Sequence, residues 1–253
     1  VQQNTMVEPM NDILTVSDLT VSFDGFKAVD GLTFSVEQDE LRVVIGPNGA
    51  GKTTLLDMIC GKTRPSHGSI RFKGLELSQM VDYQITRAGV GRKFQTPSIY
   101  QDLTVFENLE ISSPVNRSVL GALFIKHRPE VTEKIESVAG QISLQNELTT
   151  KAGILSHGQK QWLEIGLLLM QDPDLMLLDE PVAGMSARER ELTAELLKNI
   201  SGGRSLVVIE HDMAFVKMIA KTVSVLHQGK LLAEGSMSAM QSDERVIEVY
   251  LGG

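Results

Sequence analysis

The chain has 253 residues, with 24 Lys and Arg against 32 Asp and Glu, for a formal net charge of −8. That balance argues against nucleic acid as the main partner, because a surface that tracks phosphates needs excess cationic side chains. Hydrophobic content of 42% and charged content of 22% are those of an ordinary globular chain, and the single cysteine, Cys60, excludes an intrachain disulfide.

Residues 1–11 are polar, contain Pro9 and show no period, which predicts a flexible N-terminal tail with no signal peptide. From Ile13 to Val36 apolar residues tend to alternate around a turn at Asp24-Gly25, as in antiparallel strands with one buried face. Leu41 to Ile45 is short, apolar and β-branched, the pattern of a strand covered on both faces. It runs into Gly46-Pro47-Asn48-Gly49-Ala50-Gly51-Lys52-Thr53-Thr54, the G-x-x-x-x-G-K-T phosphate-binding loop followed by a helix-compatible segment in which Cys60 reads as small core filler. Glycines let successive backbone N–H groups turn toward a polyphosphate, and the helix adds its positive end. Lys52 supplies charge for the β- and γ-phosphates, and Thr53 a hydroxyl for Mg²⁺.

A turn at Arg64–Gly68 leads to a strand at Ser69–Phe72, and Val90 to Gln95 passes into a loop. From Val105 to about Ala152 the spacing is mostly helical, with a break at Pro114, a polar turn at 126–129 and a helix over Glu130–Ala139; this reads as an inserted helical subdomain, about 96–166. Ser156 and Gln159 have capping-box spacing before the apolar run of Trp162, Leu163, Ile165, Leu167 and Leu168. The helix start, with His157 and Gly158, also suits an anion. Strands at Leu175–Leu178 and Leu206–Ile209 alternate with helices at Ala187–Ile200 and Met213–Ala220, and a hairpin spans Val223–Ala233. Such alternation predicts a mostly parallel sheet covered on both faces. No segment approaches the ~20 apolar residues of a membrane span, so any membrane role has to run through another polypeptide.

Asp179 and Glu180 follow directly on the strand Leu175–Leu178. A carboxylate there is costly unless it meets a cation, which assigns Asp179 to Mg²⁺ and leaves Glu180 as general base for the attacking water. His211 ends a second buried strand, where a neutral imidazole can bond the γ-phosphate and position that water.

Together with Gln95, these motifs, in this order, resemble the ATP-binding subunits of ABC transporters over nearly the whole chain. The resemblance implies an α/β P-loop NTPase of ABC type over 12–253: a mostly parallel sheet core, an antiparallel β subdomain and the helical insert. It implies ATP and Mg²⁺, with Gln95 sensing the metal and signalling to membrane subunits. Ser156, His157, Gly158 and Gln159 would contact the γ-phosphate of ATP held by an opposing subunit. Phe23, or its neighbour Phe26, would stack on adenine, the alternative for Phe23 being plain strand core.

Two positions depart from the family pattern. His157 stands where glycine is usual, and its protonation would favour an anion, predicting a modest pH dependence of hydrolysis that His157→Gly removes. Ser186 stands where an Asp is usual, which puts its cross-subunit role in doubt. The wording of 91–97, 155–166 and 180–185 most resembles urea importers, relatives of the branched-chain amino-acid importers. That implies a second ATP-binding subunit (homodimer or heterodimer), membrane permease subunits, and indirectly a periplasmic binding protein. The chain would sit peripherally on the cytoplasmic face of the inner membrane. The competing readings are another cargo (branched-chain amino acids or an exported lipid), a soluble ABC ATPase acting on ribosomes or DNA, and a nucleotide-binding module without catalysis.

Overall fold

The computed structural model describes residues 12–93, 99–114 and 129–251, so the predicted tail at 1–11 lies outside the described residues. β1 (Asp12–Phe23) and β2 (Phe26–Glu37) form an antiparallel hairpin that closes Phe23 on Phe26. Its turn is the expected Asp24-Gly25, with φ of 49° and 87°; two left-handed residues match the twist of a tight hairpin. β3 (Leu41–Ile45) then leaves for a second sheet and is followed by α1 (Lys52–Ile59). β4 (His67–Phe72) returns to the free side of β1, and β5 (Leu75–Glu76) completes a first sheet ordered β2-β1-β4-β5.

The rest of the chain builds the second sheet and its cover. In order it comprises α2 (Asp82–Ala88), β6 (Val90–Lys93), α3 (Val105–Ser112), α4 (Pro129–Gln141), α5 (His157–Met170), β7 (Leu175–Asp179) and α6 (Ala187–Ser201). There follow β8 (Ser205–Ile209), α7 (Met213–Ile219), β9 (Thr222–His227), β10 (Lys230–Gly235), α8 (Met237–Ser242) and α9 (Glu244–Leu251). The strand order is β10-β9-β3-β8-β7-β6. All neighbours run parallel except β10, which turns back antiparallel on β9.

The sheet is buried on both faces, and successive residues divide between two cores. Val43, Met176, Leu178, Leu206 and Val208 face the layer of α3 to α7. Val44, Leu175, Leu177, Val207 and Ile209 face α1 and the antiparallel sheet. Register sets the working end: Val44 lies level with Ile209, and Ile209 with Asp179. The segments leaving β3, β7 and β8 therefore emerge side by side at the carboxyl edge, the edge where open α/β sheets bind ligands.

Several elements were not anticipated from the sequence. Val90–Lys93, read only as leading into a loop, is an edge strand paired with β7; its Val-Gly-Arg-Lys text lacks the apolar run that marked the central strands. α2 went unseen because only its Ile85 is buried. α8 and α9 were missed as short segments with no long period. The predicted insert boundary near 166 falls inside α5, where Gly166 meets Leu109 of α3 and Val138 of α4 within a core that is continuous with the sheet. A buried ion pair, Lys93 Nζ to Glu164 Oε2 at 3.0 Å, fastens the end of β6 to the same helix.

Candidate functional site

The phosphate loop is built by local necessity. Gly46 has φ 155°, and a Cβ there would collide with the Leu226 carbonyl of β9, so only glycine lets the chain leave β3 in this direction. Gly51 precedes α1 with φ 97° and provides no side-chain cap, which leaves the first amides of the helix to an external acceptor. Lys52 donates from Nζ to the carbonyls of Gly46 (2.7 Å) and Pro47 (3.0 Å). Burial holds its ammonium below the usual lysine range, and the carboxylates of Glu180 and Asp179 oppose that fall. The β9–β10 turn braces the loop from outside: Gly229 N–H donates to Ala50 O at 3.1 Å. No reading of the motif alone had suggested that contact.

Asp179 closes β7 with 2% of its surface exposed, and neither carboxylate oxygen accepts a hydrogen bond. The Arg92 guanidinium lies 3.8 Å away. Burial raises the Asp179 carboxyl above its ordinary range, while Arg92 and the Thr53 hydroxyl pull the other way. A buried carboxylate met only by a distant guanidinium and a threonine hydroxyl fits Mg²⁺, which takes one or two protein ligands and completes its shell with phosphate and water. Among the described residues no group of three or more His, Cys, Asp or Glu side chains is placed to hold a metal, so the protein by itself offers no complete cage.

Glu180 adopts φ 47°, a left-handed conformation uncommon for a non-glycine residue. The loop is held there by Glu180 N–H donating to Ile209 O at 3.0 Å. This turns the side chain toward the next loop, and Glu180 Oε1 lies 3.3 Å from Nδ1 of His211. Glu210, between β8 and His211, is 1% exposed and accepts from the N–H groups of Val182 (3.3 Å), His211 (3.1 Å) and Asp212 (3.5 Å). Burial raises its carboxyl above the usual range against the pull of those donors.

Other predicted residues lie apart from this group. Phe23 and Phe26 stand at the hairpin tip with 48% and 66% of their surface exposed, which excludes plain strand core for Phe23 and leaves both rings accessible. Ser156 caps α5 as predicted: its Oγ accepts from Gln159 N–H (3.2 Å), and the Gln159 side chain accepts from Ser156 N–H (2.9 Å). Among the described residues no hydrogen bond or ion pair joins 156–159 to the phosphate loop.

The contacts of the Ser156 segment run to its own chain's loop after β7 and to the first turn of α6. His157 Nε2 sits 2.9 Å from Ala183 O, and Ser156 Oγ donates to Glu189 Oε1 at 3.4 Å. A Cβ at Gly158 would meet the Glu189 carboxylate, so a larger residue there has to displace that side chain. Ser186, the departure from the usual Asp, caps α6 and donates to Glu189 Oε2 at 2.7 Å. Deeper in, Trp162 Nε1 donates to Thr193 Oγ1 at 2.8 Å, tying α5 to α6. Gln95 lies outside the described residues.

Arg92, Glu189 and Glu210 were not singled out from the sequence. Glu210 had a visible signal, an acidic residue directly after the apolar run Leu206–Ile209. Arg92 had none, since nothing in the text places it against Asp57 on α1 (2.5 Å) and near Asp179.

Comparison with known proteins agrees with this architecture. The profile of the family described as ABC transporter matches residues 29–183, and that of the branched-chain amino acid ATP-binding cassette transporter matches 230–253. The chain is 35% identical to the high-affinity branched-chain amino acid transport ATP-binding protein BraF of Pseudomonas aeruginosa, over 95% of this chain and 98% of that protein. It is 31% identical to the probable branched-chain amino acid transport ATP-binding protein LivG of Methanocaldococcus jannaschii, over 95% and 98%. Among solved structures, the ADP conformation of an ATP-binding cassette of an ABC transporter superposes with a TM-score of 0.84 at 31% identity, covering 96% of this chain and 99% of that one. With a phosphate loop, a buried strand-end carboxylate and these relatives, the chain belongs to the ATP-binding subunits of ABC transporters, ATPases that couple hydrolysis to transport.

Proposed function

We propose that this chain is the ATP-hydrolysing subunit of a membrane importer and that its active site is completed by a second subunit. The observation that carries the hydrolytic reading is the pairing of Glu180 and His211, 3.3 Å apart, beside a buried carboxylate without hydrogen-bond partners. The amides of 46–54 and Lys52 bind the phosphates, with Lys52 exchanging two loop carbonyls for phosphate oxygens. Thr53 and Asp179, with Gln95, hold Mg²⁺, which when bound neutralises charge on the β- and γ-phosphates. Glu180 takes the proton of the attacking water, and His211 keeps that carboxylate and the γ-phosphate in line. Phe23 or Phe26 offers an exposed ring for the adenine. Ser156–Gln159 serves the ATP of the opposing subunit, which suits a segment with no bond to its own phosphate loop. Glu180→Gln is expected to bind ATP at parental affinity and lose turnover by about 100-fold or more. Turnover at the parental rate would remove Glu180 from the role of base.

For the cargo, the relatives support branched-chain amino acids over urea, since the similar proteins carry that description and a profile named for it matches the C-terminal 24 residues. Urea is the second reading, favoured by the wording around His157 and Gly91–Pro97 but by none of these comparisons. Peripheral attachment to permease subunits follows from this reading; among the described residues no helix is long and apolar enough to cross a membrane. Reconstituted with its permease and binding protein, the ATPase should be stimulated by leucine, isoleucine or valine. Stimulation by urea alone would reverse the order of the two readings.

A further inference from the structure

We propose that Glu210 is a positioning residue that locks the loop carrying Glu180 to the loop carrying His211. The inference rests on the reading of Glu180 as base and His211 as its companion.

The side chain is 1% exposed, and its two oxygens serve different loops. Oε1 accepts from Val182 N–H, two residues beyond Glu180, while Oε2 accepts from the N–H groups of His211 and Asp212. A backbone rung already joins the loops through Glu180 N–H and Ile209 O at 3.0 Å. Glu210 adds a second rung about one turn further out, and two rungs fix an angle where one leaves a hinge. The far ends are anchored as well. Asp212 caps α7 through Ala214 and Phe215 and pairs with Arg190 of α6 at 2.7 Å, while Met185 N–H closes the Glu180 loop on Val182 O at 3.1 Å.

Chemistry explains why the position holds a carboxylate. Burying a charge costs several kcal/mol unless hydrogen bonds compensate, and here backbone donors on both oxygens offset part of that cost. Only an acceptor with two equivalent oxygens can meet donors on both sides. Glutamine offers one acceptor; its NH₂ would confront an N–H of one loop, so it can satisfy either loop but not both. The strained φ of Glu180 gives this a purpose, because a residue held in the left-handed region keeps that conformation only if its surroundings over-determine it.

The test is ATP hydrolysis by Glu210→Gln in the full chain assembled with its permease, with ATP affinity and thermal midpoint measured on the same protein. The expected result is turnover lowered about tenfold, a shift of roughly 1.4 kcal/mol in barrier, with ATP affinity within about twofold of the parent. A double-mutant cycle separates positioning from mere folding support: in a His211→Ala background the same change should cost less than about threefold. Parental turnover in Glu210→Gln, or an undiminished tenfold loss in the His211→Ala background, would overturn the proposal. Should Glu210→Gln fail to fold, Glu210→Asp carries the same test, since it keeps the charge and loses the reach to one loop; parental turnover there would equally overturn it. Glu180→Gln distinguishes the two levels of argument. If it turns over normally, the base is misassigned; if it is dead while Glu210→Gln is normal, only the positioning role falls.

Discussion

Asp179 shows how one residue carries function at the expense of stability. Its burial is only partly offset by Arg92 and Thr53, and the net upward push on its carboxyl means that folding disfavours the ionised form relative to the unfolded chain. Asp179→Asn should therefore raise the thermal midpoint of the nucleotide-free chain by a few degrees, about 1 kcal/mol for a chain this size, while abolishing Mg²⁺-dependent turnover. Calorimetry without Mg²⁺ checks the sign, and a lowered midpoint would mean that the Arg92 contact outweighs burial. Lys52, Thr53, Asp179 and Glu180 were legible in the sequence because each stands at a fixed offset from an apolar strand or a glycine turn. Glu210, Arg92 and Glu189 were not, because their roles depend on which loops meet, and that is settled by strand order rather than by local text.

At the scale of elements, α5 is where local and long-range forces meet. Its capping box and apolar face were readable, and the helix starts at the expected place. The Lys93–Glu164 pair was not readable, since one partner lies on an edge strand that the sequence did not reveal as a strand. Breaking a buried ion pair from one side leaves an uncompensated charge, so Lys93→Met should destabilise the chain by about 3 kcal/mol. The double variant Lys93→Met with Glu164→Met should recover most of that loss. Urea denaturation of the three proteins tests this, and equal midpoints for the single variant and the parent would show that the pair is solvated. The central strands β3, β7 and β8 were predicted within a residue because full burial writes a continuous apolar run. β5, β6 and the C-terminal helices are short or half-exposed and leave no such trace.

For the molecule as a whole, the geometry separates two surfaces that the chemistry requires together. The phosphate loop, Asp179, Glu180 and His211 share the carboxyl edge of the sheet, whereas Ser156–Gln159 is bonded to the loop after β7 through Ala183 and to the first turn of α6 through Glu189. On the proposed reading one chain holds half of two sites, and a second subunit brings the other halves. His157 belongs to this second surface; with Nε2 against Ala183 O it has a structural partner beyond the anion contact proposed from the sequence. The direct measurement is Ser156→Arg, assayed for ATP affinity in the isolated chain and for turnover in the assembled transporter. The account predicts affinity within about twofold of the parent and turnover reduced by about 100-fold, the effect of losing a donor to the transferring phosphate. A parallel fall in affinity and turnover, or turnover left intact, would contradict a site shared between subunits.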